Sequence, residues 1–246
     1  MTKRVLLVGA GGIGSPAALV LAQAYATGTC PPFEIVAADD DVVERSNLHR
    51  QILFSDRDVG TDKLDALVRA VADRAPGLRV VPYRGRLLPD TAIDLVRDVD
   101  VVLDATDNFA SRFLGADAAN IVGRPIVHSA SVRWHATVLA SAAGGRPCYR
   151  CLFEDLPEGP APDCATAGVV GPVCGVAGAL AAELTLRILR GDESGFGWVY
   201  TYDGRRDSLR RVPLRARATC ELCGALASDR IVRLEAGRYA GDACQD

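Results

Sequence analysis

The sequence predicts an α/β fold in which a mainly parallel sheet is continued by antiparallel strands. Three features support this prediction. Short β-rich runs alternate with helical stretches over residues 1–130, a glycine-rich turn joins the first strand to the first helix, and apolar residues form 49% of the 246-residue chain. From Trp134 on, the remaining strands look antiparallel and surround one long helix. This pattern indicates one large domain with a sizeable core.

The first half of the chain reads as strands and helices in turn. The apolar run at 5–8 predicts the first strand, and Ala, Leu and Gln residues after the glycines predict a helix over 15–25. The run at 33–37 predicts a second strand, which ends at three aspartates, and the helical period of 61–74 stops before Pro76 and Gly77. Further strands are expected at 78–82, 100–104 and 125–128, with helices near 91–97 and at 110–122.

The second half follows a different pattern. Runs at 137–140, 197–202 and 209–214 predict antiparallel strands, and 173–190 predicts the long helix. Residues 154–163 hold three prolines and little to bury, which predicts a mobile crossover loop. Because no linker, repeat or low-complexity tract interrupts the chain, we expect a single domain over 1–246, with halves of about 1–130 and 131–246.

The composition excludes several classes of partner. The 28 basic and 31 acidic residues give a net charge of −3, so we expect neither nucleic acid nor membrane as a partner. The first residues are too soon broken by glycine for a signal peptide, and no stretch approaches the ~20 apolar residues of a membrane span. We therefore expect a cytoplasmic protein, in which eight cysteines indicate metal binding or catalysis rather than disulfides.

The glycine turn predicts a nucleotide site. Gly9, Gly11 and Gly14 satisfy the Rossmann-like pattern G-x-G-x-x-G, in which absent side chains let phosphate approach the backbone and the helix N–H groups. Asp39 follows Gly14 by 25 residues, at the end of the next strand, where a carboxylate can accept hydrogen bonds from ribose hydroxyls. The alternative is a tight turn with no ligand.

Polar residues beyond the turn indicate which nucleotide is bound. Residues 46–51, Ser-Asn-Leu-His-Arg-Gln, and then Lys63 supply groups that hydride transfer does not need, whereas attack on the α-phosphate of ATP needs them to stabilise developing charge. The chain has no G-x-x-x-x-G-K-[ST] loop, so any ATP is held differently from a P-loop enzyme. The alternative is that Arg50 and Lys63 are ordinary surface cations.

Carboxylates follow another predicted parallel strand. Asp104 and Asp107 should project into the crevice at the carboxyl edge of the sheet, where a carboxylate can hold the magnesium that bridges ATP phosphates. The alternative for Asp107 and Asn108 is to cap the following helix. The two roles are compatible, with Asp107 taking the metal. The three histidines, His49, His128 and His135, form no pattern typical of a catalytic pair.

Two C-x-x-C pairs predict a structural metal site in the C-terminal third. Cys148 with Cys151 and Cys220 with Cys223 suit a closed tetrahedral zinc site. A redox C-x-x-C is the competing interpretation, and two pairs argue against it.

These motifs together resemble the ThiF/MoeB/HesA family, bacterial relatives of ubiquitin-activating enzymes. The similarity runs in order from residue 4 to about 224. It rests on the glycine turn, Asp39 and Asp41, residues 46–51, Gly60 and Lys63, residues 104–108 with Arg112, and the two cysteine pairs. The resemblance implies a single adenylation domain with a nucleotide-binding half and a zinc-stapled carrier-binding half.

The resemblance also implies an activity. Such an enzyme uses magnesium and ATP to adenylate the C-terminal glycine carboxylate of a small β-grasp sulfur carrier that ends in Gly-Gly, releasing pyrophosphate. No general base is needed, because the carboxylate is already ionised. The pathway would be thiamine, molybdenum cofactor or related biosynthesis, with a sulfur donor as a further partner and a homodimer as the working form.

The resemblance assigns roles to individual residues. Gly12 would lie against the nucleotide, Asp39 would hold the ribose, Asp107 would bind magnesium and Arg112 would support the site. The remaining nucleotide-binding set is Gly9, Gly11, Gly14, Asp41, Asn47, Arg50, Gln51, Lys63 and Asn108, among which Asn47, Arg50 and Lys63 would contact phosphates. The catalytic set is Arg50, Lys63, Asp107 and Cys164.

Cys164, at the end of the proline-rich loop, resembles the cysteine that forms a covalent link with the carrier in ThiF-type enzymes. The alternative is a cysteine that an enzyme limited to adenylation does not need. Cys30, Cys174 and Cys244 are expected to be inert. Members of this family carry an arm before the first strand, with an arginine that reaches the ATP of the neighbouring subunit, whereas this sequence begins at the strand. Three explanations stay open: another residue makes that contact, the start of the sequence is truncated, or catalysis is weaker.

Other functions stay open at this point. One is adenylation of a peptide or small-molecule carboxylate. Another is a non-catalytic, zinc-stabilised scaffold that binds a carrier without activating it. A dehydrogenase is the alternative that the cysteine pairs disfavour most.

Overall fold

The computed structural model describes residues 2–157 and 168–239. Within them lies one eight-stranded sheet with the order β3-β2-β1-β4-β5-β6-β7-β8. The strands are β1 (Lys3–Val8), β2 (Phe33–Asp39), β3 (Val80–Arg84), β4 (Val101–Asp104), β5 (Ile126–Val132), β6 (His135–Ser141), β7 (Trp198–Asp203) and β8 (Ser208–Pro213). The first five pair in parallel and the last three antiparallel, which confirms the predicted fold class.

Six α-helices flank this sheet in the described part of the chain. They are α1 (Gly14–Ala26), α2 (Lys63–Arg74), α3 (Ala92–Arg97), α4 (Phe109–Val122), α5 (Tyr149–Leu152) and α6 (Gly171–Leu189). Sequence periodicity predicts all of them except α5, a single turn inside the first cysteine pair. Asp62 caps α2 by accepting hydrogen bonds from the Leu64 and Asp65 N–H groups, and α4 ends at Gly123, whose φ of 73° is left-handed.

The central strands are apolar on both faces because helices cover both. In β1, Val5 and Leu7 join the core on the side of α1, α2 and α6, whereas Leu6 and Val8 join the core on the side of α3 and α4. A parallel sheet buried on both faces explains why this strand is a continuous apolar run rather than an alternating one.

The long helix α6 corrects one expectation from the sequence. Its 19 residues have a mean hydropathy of 1.5 and are long and apolar enough to cross a membrane, so the expectation that no stretch approaches this length was wrong. However, α6 packs against α1, β5 and β6, and more than half of it is buried inside the protein. A helix apolar on most sides is what the core of an α/β domain requires.

Candidate active site

The candidate site lies where the carboxyl ends of β2, β1 and β4 meet. β1 stands between β2 and β4 in the sheet. From β1 the chain adds β2 and then β3 on one side, and it returns to add β4 on the other side. This is the point at which the strand order reverses, and ligands of such sheets bind in the crevice beyond it. The glycine turn follows β1, Asp39 ends β2, and residues 105–108 follow β4.

The glycine turn is shaped by close backbone approaches. Gly9 has a φ of +89°, and a Cβ there would lie 3.0 Å from the Ala105 carbonyl oxygen. A Cβ on Gly14 would lie 2.0 Å from the carbonyl oxygen of Gly9, so only glycine fits. The N-cap of α1, Ile13, offers no side-chain hydrogen bond to the first N–H groups of the helix. The Ser15 N–H donates to the Gly11 carbonyl at 2.9 Å, and Pro16 has no N–H. In the first turn of α1 the Gly14 N–H is therefore the one left for an anionic group among the described residues.

Asp39 holds the turn to the end of β2. One carboxylate oxygen accepts a hydrogen bond from the Ala10 N–H at 2.7 Å, and the other accepts one from the Asp41 N–H at 2.9 Å. Burial raises the pKa of Asp39, and the charge of Lys63 and these two hydrogen bonds only partly offset it. Each carboxylate oxygen keeps a lone pair with which it can accept a further hydrogen bond.

Lys63 brings a positive charge to the same place. It is the first residue of α2 and only 5% exposed, with its Nζ 2.7 Å from Asp41 and 3.8 Å from Asp39. Asp39, Asp40 and Asp41 are close enough to share a cation, but Lys63 already faces two of them and Arg86 binds Asp40. We therefore assign no metal to this acidic cluster.

Residues 44–51 form the wall opposite the glycine turn. Arg50 lies against Gly12, where a Cβ would come within 2.9 Å of the Arg50 Cδ. Gln51 is buried, and its Oε1 has no hydrogen-bond partner among the described residues. Asn47 donates to Glu44 at 3.3 Å and anchors the wall through its carbonyl, which accepts from the Arg50 and Gln51 N–H groups.

The start of α6 packs on this wall. A Cβ on Gly171 would lie 2.3 Å from the His49 carbonyl oxygen, so the first turn of α6 touches the backbone that carries Arg50. The Arg50 segment therefore lies beside the helix that follows the proline-rich loop.

From the sequence, Asp107 and Asn108, which follow β4, are both candidates to cap α4, and Asp107 is also the candidate metal ligand. Asn108 caps α4 by accepting a hydrogen bond from the Ser111 N–H at 2.8 Å, whereas Asp107 is exposed. The expectation that Asp104 projects into the crevice is wrong: it is 2% exposed and turned toward the α3 and α4 face, where His128 donates to it at 2.7 Å. Arg112 is buried and donates to the Thr106 carbonyl at 2.7 Å.

The four cysteines of the two pairs form one buried cluster. Their sulfurs lie within 4.8 Å of one another, with separations of 3.6 Å for Cys148 and Cys220 and 3.4 Å for Cys151 and Cys223. Four thiolates around a tetrahedral zinc at about 2.3 Å stand about 3.8 Å apart, so the cluster fits that ion. The backbone N–H of Arg217 points at the Cys151 sulfur at 3.4 Å.

A buried ion pair ties this cluster to α4. Arg150, inside the first cysteine pair, donates to both carboxylate oxygens of Asp117 at 2.9 Å, and its guanidinium lies 4.6 Å from the centre of the Phe113 ring. Tyr239 donates to the same carboxylate at 2.8 Å. Cys164 and Cys244 lie outside the described residues, so the structure does not place them relative to either site.

Comparison with known proteins identifies the family. The model of the ThiF family matches residues 1–223. This chain belongs to the ThiF family. Two relatives share most of their length with it: the SAMP-activating enzyme E1 of Haloferax volcanii, 39% identical over 94% of this chain and 84% of the relative, and the sulfur carrier protein ThiS adenylyltransferase of Escherichia coli, 36% identical over 93% of this chain and 89% of the relative.

Other ThiF-family relatives are longer. The adenylyltransferase and sulfurtransferase MOCS3 of Sus scrofa is 39% identical over 91% of this chain but only 48% of the relative, so the chain spans about half of that protein. Among solved structures, Escherichia coli MccB with MccA-N7isoASN matches with a TM-score of 0.77 at 22% identity. The match covers 90% of this chain and 67% of the MccB chain. That likeness concerns the fold alone.

Two groups in this ThiF-family fold escape prediction from the sequence. One is the pair formed by His128 and Asp104, and the other is the ion pair of Arg150 with Asp117. Both members of the first pair end a predicted strand, but that position alone does not reveal that their side chains face each other. Nothing in the spacing of Arg150 and Asp117 indicates their contact, because it depends on how α4 packs against the cysteine cluster.

Proposed function

We propose that this protein adenylates the C-terminal glycine carboxylate of a ubiquitin-like sulfur carrier, using ATP and magnesium and releasing pyrophosphate. The observation that carries the proposal is the single edge at which the glycine turn, Asp39, Lys63 and Asp107 meet. The names of its relatives support the reaction, because they are activating enzymes and adenylyltransferases of such carriers.

The chain fits ATP on grounds of its own. The glycines of the turn after β1 let phosphate approach the backbone, and the Gly14 N–H at the start of α1 has no partner among the described residues. The buried Gln51 Oε1 lacks a partner among the described residues, and a nucleotide hydroxyl or amino group would supply one. Asp39 would accept from the ribose, while Arg50 and Lys63 would neutralise the phosphates. Asp107 would hold magnesium, which supplies charge neutralisation between the phosphates.

The proposed chemistry needs positioning more than proton transfer. A carboxylate and ATP repel one another, so Arg50 and Lys63 reduce that repulsion and stabilise the charge that develops at the α-phosphorus. The attacking carboxylate is ionised near neutral pH, so no side chain has to remove a proton. The Asn47 side chain, on the same wall as Arg50, would orient a phosphate oxygen.

The rest of the proposal concerns the C-terminal half. The four clustered cysteines would hold a structural zinc, which leaves no open position for substrate. The Cys164 thiolate would attack the carbonyl carbon of the acyl adenylate, forming a thioester with the carrier as AMP leaves. The working form would be a homodimer in the cytoplasm. The pathway would be the biosynthesis of thiamine, molybdenum cofactor or a related sulfur compound.

Pyrophosphate exchange tests the reaction and its substrate. Labelled pyrophosphate should enter ATP only when a carrier ending in Gly-Gly is present, and deletion of the last glycine should abolish the exchange. Exchange that a short peptide stimulates and folded carriers do not would favour a peptide or small-molecule carboxylate. Failure with every carrier encoded near the gene would overturn the proposal.

A variant separates the enzyme from a scaffold. Asp107→Ala should abolish exchange and leave carrier binding unchanged, because the carboxylate touches the metal and not the carrier. Carrier binding by the unsubstituted protein with no exchange would favour the non-catalytic scaffold.

A further inference from the structure

A buried histidine and aspartate lie directly behind the candidate site. His128 and Asp104 are register partners on the parallel strands β5 and β4, and they are 3% and 2% exposed. The His128 Nδ1 lies 2.7 Å from one Asp104 carboxylate oxygen. An ionised carboxylate can only accept, so Nδ1 carries the hydrogen. Without this donor, a buried carboxylate would lose a charge-assisted hydrogen bond.

The other oxygen of the Asp104 carboxylate holds the turn that follows β4. It accepts from the Thr106 N–H at 3.0 Å and from the Thr106 hydroxyl at 2.7 Å. The Thr106 carbonyl accepts from Arg112 at 2.7 Å, so the backbone of Thr106 is held at its N–H and at its carbonyl. The next residue is Asp107, whose own side chain makes no hydrogen bond among those described. The backbone that Asp104 holds therefore sets the place from which the Asp107 side chain leaves the chain.

The imidazole is held in place from the far side. Its ring centre lies 4.5 Å from that of Tyr149, at an angle of 38°, and Tyr149 is 4% exposed beside Cys148 of the cysteine cluster. Phe113 packs edge-on against Tyr149 at 5.1 Å. The His128 Nε2 is buried with no partner among the described residues, so the hydrogen bond to Asp104 is what the structure records for this imidazole.

We propose that His128 is a positioning residue of the nucleotide site: it holds Asp104, which fixes the backbone of Thr106 and so places Asp107 where it would hold the metal. This inference rests on the proposed role of Asp107 in holding magnesium. It assigns to β5 a part in a site otherwise built from β1, β2 and β4. It also gives the Tyr149 ring, and through it the cysteine cluster, a contact with that part of the site.

Two variants of His128 distinguish positioning from packing. His128→Asn keeps a side-chain N–H near the place of Nδ1, whereas His128→Leu keeps much of the volume and removes the donor. The measurement is calorimetric titration of ATP into each protein with and without magnesium, with Asp107→Asn as the reference for a lost metal ligand. Circular dichroism and zinc content check that each variant is folded.

We expect His128→Leu to lose about tenfold of the magnesium-dependent gain in ATP affinity, as other residues that orient metal ligands do. Affinity for ATP without magnesium should stay within about twofold, because Asp39 and the glycine turn are untouched. His128→Asn should restore most of the magnesium-dependent gain. A folded His128→Leu protein with an unchanged magnesium dependence, or equal loss in both variants, would overturn the inference.

The same titration separates this inference from the proposed function. If the unsubstituted protein binds ATP in a magnesium-dependent way but catalyses no exchange, the proposed reaction fails while the comparison of variants still decides the role of His128. If magnesium adds nothing to ATP affinity in the unsubstituted protein, the inference fails with the assignment of Asp107.

Discussion

Gly14 is the residue on which the shape of the glycine turn depends most. A Cβ there would lie 2.0 Å from the Gly9 carbonyl oxygen, and this neighbour is backbone that cannot rotate away. Gly12 differs, because the nearest atom to a Cβ there belongs to the flexible side chain of Arg50, at 2.9 Å. The motif therefore contains two glycines required by the backbone, Gly9 and Gly14, and a third, Gly12, that leaves room for a cation.

Gly14→Ala should destabilise the protein and remove ATP binding. Relief of the overlap needs a backbone shift, which we expect to lower the free energy of unfolding by about 2 kcal/mol or more. Gly175 in α6 is the matched control, because a Cβ there meets nothing within 4 Å. Gly175→Ala should raise stability by about 0.5–1 kcal/mol through helix propensity. Urea unfolding of both variants makes the comparison, and equal effects would contradict it.

Asp104 shows how a buried carboxylate stays ionised. Burial favours its neutral form, but the hydrogen bond from His128, the charge of Arg112 and the hydrogen bond from Thr106 outweigh burial and hold its pKa below the usual value. Its partners lie on β5, α4 and the turn after β4. Three elements are thus tied to one side chain at the rear of the site.

At the scale of elements, Asp58 stabilises the connection between β2 and α2. Arg50 lies in this connection. It accepts from the Ser55 N–H and hydroxyl at 2.8 and 2.9 Å, and Arg69 of α2 pairs with it at 3.2 Å. Burial alone would raise the pKa of Asp58, and these hydrogen bonds with the charges of Arg57 and Arg69 bring it below its ordinary value of 3.8. A carboxylate with a lowered pKa contributes stability above pH 3.8 and loses it as the pH falls through the folded-state value.

Asp58→Asn should therefore have an effect that depends on pH. Near neutral pH the free energy of unfolding should fall by about 1 kcal/mol, because the charged acceptor is lost. In acid, where Asp58 of the unsubstituted protein is protonated, the two proteins should converge. The control is Asp56→Asn, since the Asp56 pair with Arg45 is exposed and should be worth less than about 0.5 kcal/mol. A difference that is constant from neutral to acid pH would refute this role.

The cysteine cluster joins two distant segments, the short α5 and the region around Cys220. Beyond the sulfurs, only a few apolar side chains such as Leu222 and Ile231 pack with them. So small a cluster supplies little hydrophobic stabilisation, and the bound metal would contribute most of the stability of this region.

Metal removal tests that account. Cys220→Ser, or a strong chelator, should abolish the bound zinc, measured as about one equivalent per chain in the unsubstituted protein. A loss of about 3 kcal/mol would lower the thermal midpoint by about 6–12 °C. Cys30→Ser, outside the cluster, should retain both zinc and midpoint. A Cys220→Ser protein with an unchanged thermal midpoint would show that the cysteine cluster does not stabilise the fold.

At the scale of the whole molecule, the sequence predicts the elements better than the contacts between them. Strands and helices follow from local period and from glycine and proline, so all eight strands lie close to the predicted positions. The one-turn helix α5 has too few residues for a period. The burial of Asp104 escapes prediction because its position at a strand end does not reveal that His128 of β5 faces it, nor that α4 covers both.

The site shows the same division. Asp39 and the glycine turn are joined in the structure as their spacing predicts, since β1 and β2 are neighbours. In the structure Asn108 caps α4 and Asp107 is exposed. The sequence does not predict which of the two is the cap, because aspartate and asparagine are both good N-cap residues. Only the backbone path at the start of α4 selects between them.

In the proposed reaction, the carrier carboxylate attacks the α-phosphorus of ATP at the edge formed by β1, β2 and β4. The direct measurement is label transfer from ATP to a carrier ending in Gly-Gly, made with the Cys164→Ser protein so that no thiol displaces AMP. It is followed after acid quenching in parallel reactions with label in the α- or the γ-phosphate. The account predicts label on the carrier from the α-phosphate alone, and none with Asp107→Ala. Label from the γ-phosphate, or an unlabelled carrier in both reactions, would contradict it.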